Sequence, residues 1–336
     1  MSNLTPSYQV GYRGLGMIGT SAADAIIMLC TGGSVSVSQD PIMSGGVWGA
    51  GEKNISPVAY AWNYLTMDCS MNVEMATAEN YWKQFHSGTY FVLLPEGTGG
   101  FTGGGYRTTT SVEASEGSAL TGTVSFKDTG GSISGGKSWD EVNGDATHRD
   151  YGYGNKPTQL AGSTLVPYWR TGAYTNCENP SSITPTDEGD ASIGGLISWN
   201  VSRNRDVQFL KCCSMNASSP LDADYVVFGE ITGDCSMTWF GLSGLEGKYF
   251  HDQYKNLTFI LNMGGELPGY STTPGKAKMY EKQLAWVQVP IAIRNSGSTS
   301  MTTGANYITS EFSYTAIGDT TKCGVTFGPD EDDSNP

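Results

Sequence analysis

The clearest pattern in the chain is a strict alternation of apolar and polar residues between Leu65 and Met75. One side of the alternation carries Met67, Cys69, Met71, Val73 and Met75, and the other carries Thr66, Asp68, Ser70, Asn72 and Glu74. Successive side chains of a β-strand point to opposite faces of a sheet. The pattern therefore predicts a strand with one buried face and one wet, mildly acidic face.

This pattern occurs twice. Residues 65–71 read LTMDCSM and residues 231–237 read ITGDCSM. Each copy is followed by a glutamate-led, aromatic segment of equal length, 79–94 and 246–261, which leads into a pair of glycines. We expect residues 64–94 and 230–261 to share one structure: a strand, a short helix or turn, and a second strand. A spacing of this size indicates two domain-sized copies and not a solenoid array.

Further strands follow from the same alternation. Residues 287–293 alternate, but Pro290 cannot donate a ladder hydrogen bond, so this strand should lie at an edge or contain a bulge. We predict an all-β fold with one or two short helices, built from duplicated sandwich or barrel domains. The expected division is a first β domain at 1–125, an insertion or connecting arm at 126–195 that is rich in Gly, Ser and aromatic residues, a second β domain at 196–328, and an acidic disordered tail at 329–336.

Composition agrees with this fold and excludes some functions. A chain of 336 residues holds about two domains, and 45 glycines with 15% charged residues favour short strands and turns. The net charge of -14 argues against a surface that binds nucleic-acid phosphates, although not against a duct through which DNA slides. We expect no membrane insertion and no signal-directed export, since no segment has the required apolar length or leader pattern.

Candidate chemistry is sparse. The three histidines are scattered, no GxSxG elbow is present, and the carboxylate pairs Asp140-Glu141 and Asp187-Glu188 sit among turn formers. Residues 131–138, GSISGGKS, match the phosphate-loop pattern, but the glycines and the proline that follow forbid the long helix which that site needs. We interpret this segment as a surface loop. The sequence predicts that the protein is not an enzyme and has no cofactor.

The seven cysteines lack CxxC spacing and nearby histidines, so no metal site is predicted. Cys69 and Cys235 lie on the apolar sides of the duplicated strands and should be buried thiols. Four others fall in less regular segments, where a partner chain could reach them and form intersubunit disulfides after assembly: Cys177, Cys212, Cys213 and Cys323. The alternative is that all seven are ordinary reduced thiols.

The arrangement resembles that of tailed-bacteriophage tail tube proteins. The resemblance rests on the strand 65–75, the helix expected over 76–86, the strands 90–94 and 307–317, and the entry Trp62-Asn63-Tyr64. It implies two packed sheets with a flanking helix, and inner strands that join around a ring into a continuous barrel. Tube subunits in that family usually have one domain and form hexamers. Two copies per chain suggest a trimer with pseudo-sixfold symmetry, with a hexamer as the alternative.

The implied function is structural: stacked rings form a conduit for genome ejection in a virion tail that assembles in the host cytoplasm. Partners would be sheath, tape-measure and baseplate proteins, and DNA would pass without specific binding. Asp68, Glu74 and Asp234 would then face the lumen, where negative charge repels phosphates. Two rival interpretations remain. One is a baseplate hub or tube-initiator protein that forms a single ring, and the other is an extracellular β-sandwich adhesin or glycan-binding protein with exposed Trp139 and Trp169.

Overall fold

The computed structural model describes residues 15–21, 25–38, 43–44, 56–57, 65–75, 79–94, 100–115, 117–129, 134–137, 165–171, 190–192, 196–212, 222–240, 254–262, 284–300, 308–316 and 325–328. The strands are β1 (Leu15–Gly19), β2 (Ile26–Ser38), β3 (Met43–Ser44), β4 (Ser56–Pro57), β5 (Thr66–Glu74), β6 (Tyr90–Leu94), β7 (Gly100–Gly104), β8 (Tyr106–Ser115), β9 (Thr121–Thr129), β10 (Ser134–Lys137), β11 (Leu165–Thr171), β12 (Asp190–Ser192), β13 (Leu196–Leu210), β14 (Tyr225–Phe240), β15 (Tyr254–Asn262), β16 (Leu284–Ser300), β17 (Thr309–Ala316) and β18 (Thr326–Gly328). The described residues contain one helix, α1 (Glu79–Ser87).

The all-β prediction is confirmed. Sixteen of the strands belong to one hydrogen-bonded network, in the order β10-β7-β6-β1-β2-β5-β9-β8-β13-β14-β17-β16-β15-β11-β12, and β18 pairs with β16. The pairings of this network are antiparallel, and β3 and β4 form a separate two-stranded sheet. Antiparallel sheets tolerate water on one face, which the alternating strands require.

The strand order repeats within the network. The first half contains the run β2-β5-β9-β8 and the second half contains β13-β14-β17-β16, so each half places its strands in the same order. The register repeats as well, because Cys69 lies opposite Val35 and Cys235 lies opposite Val201. Each residue of the second pair lies 166 positions after its equivalent in the first pair. The sequence echo at 65–71 and 231–237 is therefore accompanied by the same strand topology.

Irregularities of the ladders recur at the same positions. The register shifts between Cys30 and Gly32 and between Arg107 and Thr109 in the first half, and between Leu196 and Ser198 and between Arg294 and Ser296 in the second. The corresponding shifts are 166 and 187 positions apart. A bulge bends a strand and increases its twist, so equivalent bulges give the two four-stranded units the same local curvature.

One ladder joins the two units. Residues 109–115 of β8 pair with residues 198–204 of β13, and this pairing extends the two four-stranded runs into one eight-stranded sheet. A single hydrophobic cluster covers one face of that sheet and includes residues of both halves, among them Met71, Val124, Val201 and Met237. The halves therefore share a core.

Helix α1 lies on the apolar face of the sheet. Tyr81, Trp82 and Phe85 are buried and share the inner side of the helix, whereas Lys83 is exposed. The Tyr81 hydroxyl donates to the carbonyl of Glu74 (2.6 Å) and accepts from the amide of Leu29 (3.0 Å). The Tyr81 hydroxyl thus bridges the backbones of β2 and β5 beside the bulge of β2, where regular pairing of the two strands is interrupted.

Arg107 fixes the C-terminal end of α1 to the sheet. Its Nη1 donates to the carbonyl of Phe85 (2.6 Å) and to Oγ1 of Thr110 (2.8 Å), and its Nη2 donates to the carbonyl of Gly88. The last carbonyls of a helix lack helical partners, and a cation there also interacts favourably with the helix dipole. Burial, aided by the charge of Arg203, lowers the pKa of Arg107 to about 9, so the guanidinium remains charged at neutral pH.

The helix also contacts the second half of the chain. The ring of Phe327 in β18 stacks on His86 with centroids 6.2 Å apart and lies 6.1 Å from the ring of Trp82. Burial lowers the pKa of His86 to about 3, and the nearby cations Arg107, Arg203 and Lys83 add to the effect. His86 is therefore a neutral core residue that joins the two halves.

The ladder of β15 and β16 shifts register beside Pro290, from Lys255 opposite Ala292 to Leu257 opposite Val289, which confirms the expected bulge. The expectation of a surface loop at 131–138 is wrong for its described part. Residues 134–137 form β10 and pair with β7.

We expect the substitution Tyr81→Phe to destabilise the protein by roughly 1–3 kcal/mol, because it removes the hydroxyl that bonds Leu29 and Glu74 and leaves both backbone groups without it. Urea unfolding at fixed protein concentration would measure the change. Tyr106→Phe is the matched control, since exposed Tyr106 contacts Phe209 and Phe228 through its ring, which phenylalanine keeps. Equal losses in the two variants would contradict the role of the Tyr81 hydroxyl.

His86 should make stability depend on acid. Above pH 6.5 the imidazole is neutral in both folded and unfolded states. Below that pH the imidazole of the unfolded chain binds a proton, whereas the imidazole of the folded protein, with a pKa of about 3, stays neutral. Stability attributable to His86 is thus lost as pH falls, by roughly 1.4 kcal/mol per pH unit. The stability difference between wild type and His86→Phe should therefore move by about 2 kcal/mol between pH 6.5 and pH 5.

Asp128 provides the control of opposite sign. Burial raises the pKa of Asp128 to about 6, so its contribution is complete below pH 3.8 and is lost as pH rises through 6. The substitution Asp128→Asn should remove that slope and leave the His86 slope in place. A parallel pH profile for wild type and His86→Phe would refute the assignment of the acid dependence to His86.

Candidate functional site

The candidate site is the face of the eight-stranded sheet opposite the hydrophobic cluster. One row of directly opposed residues crosses six neighbouring strands and is polar throughout: Asn72, Thr123, Ser111, Ser202, Asp234 and Thr315. Side-chain hydrogen bonds connect neighbours within it. Thr123 Oγ1 donates to Asn72 Oδ1 (2.9 Å), and Thr315 Oγ1 donates to Asp234 Oδ1 (3.2 Å).

The adjacent row on this face is built in the same way. It runs through Glu74, Thr121, Glu113, Asn200, Ser236, Ser313 and Ser296. Glu113 accepts from Thr121 Oγ1 (3.0 Å) within the first half and from Asn200 Nδ2 (3.4 Å) across the ladder that joins the halves. The hydroxyls of Ser296 and Ser313 lie 2.7 Å apart. The face is a lattice of short hydroxyl and amide side chains that extends across the junction between the halves.

The charges on this face are mainly negative. Asp68, Glu74, Glu113, Asp234 and Glu311 lie on it, and Lys127 lies opposite Asp68 in the ladder of β5 and β9. Lys127 extends away toward the ring of Phe209, with Nζ 5.9 Å from the ring centroid. An acidic, hydroxyl-rich surface attracts water and repels phosphates.

The sequence-predicted residues Asp68, Glu74 and Asp234 all lie on this one face. Asp68 and Asp234 are exposed and Glu74 is half-buried. They occupy equivalent strands of the two halves, β5 and β14, which β9, β8 and β13 separate. The orientation of this face toward a lumen remains a prediction.

Sequence reasoning missed Glu113, Lys127 and Glu311, which complete the charge pattern of the face. Glu113 lies in the segment YRTTTSVEAS, where threonine and serine occupy both faces of the strand and obscure the alternation. Glu311 lies in the segment TSEFSYTA, in which a polar residue, Ser310, occupies the buried face and interrupts the alternation of apolar and polar residues. Buried Ser and Thr are the physical reason that the pattern is weaker in these strands.

The cysteines divide into two groups. Cys69 and Cys235 are buried free thiols, as predicted. Burial raises the pKa of Cys69 to about 12 and also raises the pKa of Cys235. Cys212 is an exposed free thiol at the end of β13, and its backbone amide donates to Asp224 Oδ2 (2.6 Å). Cys177, Cys213 and Cys323 lie outside the described residues. Intersubunit disulfides of these four cysteines remain a prediction.

The described parts of the chain show one surface depression and no cluster of metal-ligating side chains. They contain no group of three or more His, Cys, Asp or Glu residues that could hold a metal ion. A depression of about 380 Å³ lies where β8 meets β13, and of its lining residues only Glu113 is charged. Among the helical residues that the structure describes, none form a segment long and apolar enough to cross a membrane.

An apolar surface lies at one end of the sheet. Beyond the pairing with β8, residues 205–210 of β13 and 225–231 of β14 continue as a two-stranded arm. Four of its large apolar side chains are 43–51% exposed: Leu210, Tyr225, Val227 and Phe228. The guanidinium carbon of Arg205 lies 4.2 Å from the ring centroid of Phe228. Leu210, Tyr225 and Val227 share one face of the arm, whereas Phe228 lies on the other face opposite Val207. Three neighbouring exposed apolar residues are typical of a contact surface.

The residues of the adhesin interpretation are not tested. Trp139 lies outside the described residues. Trp169 lies in β11, where its backbone pairs with Leu257 and Ala191, but its side chain is outside the described part.

No protein-family model matches the sequence, and no curated protein matches it. Among solved structures, the chain is similar to a chain in the virion of a native gene transfer agent particle, with 13% sequence identity and a TM-score of 0.31. This match covers 38% of the present chain and 98% of the other. Similarity at this level carries no inference about function.

Proposed function

We propose that the protein is a structural virion subunit whose chains join into rings, and that the rings stack into a tail tube through which DNA leaves the particle. The observation that carries the proposal is the eight-stranded sheet with one apolar face, one hydroxyl-rich acidic face, and end strands that are partly unpaired within the described residues. A sheet of this kind suits the wall of a water-filled barrel, because ring closure pairs the edges that would otherwise aggregate.

The acidic face suits the lumen. Asp68, Glu74 and Asp234 would place negative charge along the path of DNA, and the surrounding serines and threonines would keep that path hydrated. Phosphates bind to clustered Lys and Arg, and the charge pattern of this face is the opposite. DNA would slide because the acidic side chains of this face repel its phosphates.

Barrel dimensions favour a trimer over a hexamer. Three chains that each contribute eight strands make a barrel of about 24 strands, roughly 50 Å between opposite backbones at a strand spacing of ~4.8 Å and a tilt of ~40°. Six chains would double that width. The smaller barrel has room for one DNA duplex after side chains fill part of the interior, so the trimeric, pseudo-hexameric ring is the one we propose.

The exposed arm supports stacking. Its apolar residues lie at one end of the strands, where a barrel wall would meet the next ring. Burying them between rings would contribute roughly 25 cal/mol per Å² of apolar surface. A baseplate hub or tube initiator would form one ring and is the second candidate. Within the tail, the expected partners are sheath, tape-measure and baseplate proteins, with assembly in the host cytoplasm.

Electron microscopy of the purified protein tests the proposal. We expect tubes from the wild type, and single rings from the variant that carries Leu210→Ser and Tyr225→Ser. These two residues are opposed at the exposed end of the arm, and the change removes apolar contacts between rings. Wild-type single rings would favour the hub. Small discrete particles from the wild type would contradict both ring proposals and favour the adhesin.

The charge of the lumen is tested on preformed tubes. Changing Asp68, Glu74 and Asp234 together to Lys should leave assembly nearly intact and make tubes retain labelled double-stranded DNA at about 50 mM salt, with release at about 200 mM, because added lysines pair with phosphates. The matched control changes the same residues to Asn and Gln, which removes charge without adding a cation. Equal DNA retention in the Lys variant and the control would contradict a lumen position.

A further inference from the structure

Each end of the eight-stranded sheet has a strand with an open edge. Residues 31–38 of β2 pair with β5 on one side, and within the described residues no strand pairs with them on the other, since β1 covers only residues 26–28. Residues 296–300 of β16 pair with β17, and among the strands that the structure describes none pairs with them on the other side, since β15 ends its pairing at Ile293. Unpaired strand edges of this length are templates for another strand.

The chain already contains a joint between the equivalents of these edges. By the 166-position offset, β2 corresponds to β13, and by the 187-position offset β8 corresponds to the C-terminal part of β16. Strands β8 and β13 pair with each other, with Ser111 opposite Ser202. Strand β8 is paired at this joint, whereas its equivalent in the second unit, the C-terminal part of β16, has an open edge. Strand β13 is also paired there, whereas its equivalent in the first unit, β2, has an open edge.

We infer that β16 of one chain pairs antiparallel with β2 of a second copy, in the register of the internal β8–β13 joint. Shifting the internal pairs by the two offsets places Ser298 opposite Ser36 of the neighbouring copy, Gly297 opposite its Val37, and Ser296 opposite its Ser38. This inference rests on the proposed ring and specifies how its subunits meet. The contact is head-to-tail, so it either closes into a ring or continues as a filament.

The side chains at this joint agree with the register. Ser36 and Ser298 are exposed and lie on the polar face, as their internal equivalents Ser202 and Ser111 do. Ser36 is opposed to Asp68, and Ser298 to Glu311, so the row of hydroxyl and acidic residues would continue from one copy into the next. On the other face, Gly297 leaves room for Val37, which is 42% exposed in the single chain.

Cysteine cross-linking tests this register. The variant with Ser36→Cys and Ser298→Cys should form disulfides between chains on mild oxidation, because directly opposed antiparallel residues have Cα atoms about 4.5–5.5 Å apart. The same two residues within one chain are separated by seven strand spacings, roughly 34 Å along the sheet. Peptide mass spectrometry identifies the 36–298 bridge despite the native cysteines. The largest species on a non-reducing gel then gives the number of chains in the ring.

Two variants serve as controls. Ser111→Cys with Ser202→Cys should form the equivalent bridge inside the chain, and so shows that the oxidation works at the internal joint. Ser34→Cys with Ser298→Cys is out of register by two residues and should give at least tenfold less product. Absence of the 36–298 bridge while the internal bridge forms would overturn the inference, as would equal yields in and out of register.

The outcome can be separated from that of the proposed function. Tubes on the microscope grid without the 36–298 bridge would overturn the register and leave the tube proposal standing. The 36–298 bridge in open filaments or small oligomers, without rings or tubes, would support the edge pairing and overturn the conduit.

Discussion

The structure depends on the pairing of backbone groups at strand edges. Every strand carries amide and carbonyl groups on both sides, and a sheet that ends must leave one set without a ladder partner. The internal joint of β8 and β13 solves this for two of the four edges of the duplicated units. The bulges that precede it in both units set the curvature with which the strands arrive there. Much of the remaining architecture serves to hold this one ladder in place.

The helix shows how that support works. It belongs to the first half in sequence, yet its aromatic residues contact β18 of the second half, and Arg107 fixes its end to the strand that forms the joint. Burial of neutral His86 and of a charged Arg107 in one small region costs free energy. The carbonyls of Phe85 and Gly88 and the ring of Phe126 compensate the guanidinium. These buried polar groups lie where the helix holds the two halves in one orientation.

The sequence was most informative where one face of a strand is wholly apolar. The alternation around Cys69 and Cys235 predicted both strands, their buried faces and their equivalence, and Pro290 predicted either an edge position or a bulge. It was least informative where small hydroxyl residues occur on both faces, as around Glu113. It gave no sign of the β8–β13 ladder either, because partner choice between strands of similar composition depends on tertiary geometry. Nor could it place Arg107, because two of its three hydrogen-bond acceptors are backbone carbonyls, which every sequence possesses.

Duplication changes the energetics of assembly. When two units are linked in one chain, one joint of every pair forms within the molecule, and its strands meet at high effective concentration without loss of the translational freedom of a separate subunit. A ring of a given number of units then needs half as many encounters between molecules. Duplication also allows the internal joint and the joint between chains to have different sequences. Trp199 occupies the internal joint at the position where the open edge of β2 carries Gly33, so the intramolecular joint can be strengthened while the intermolecular one remains reversible until the ring closes.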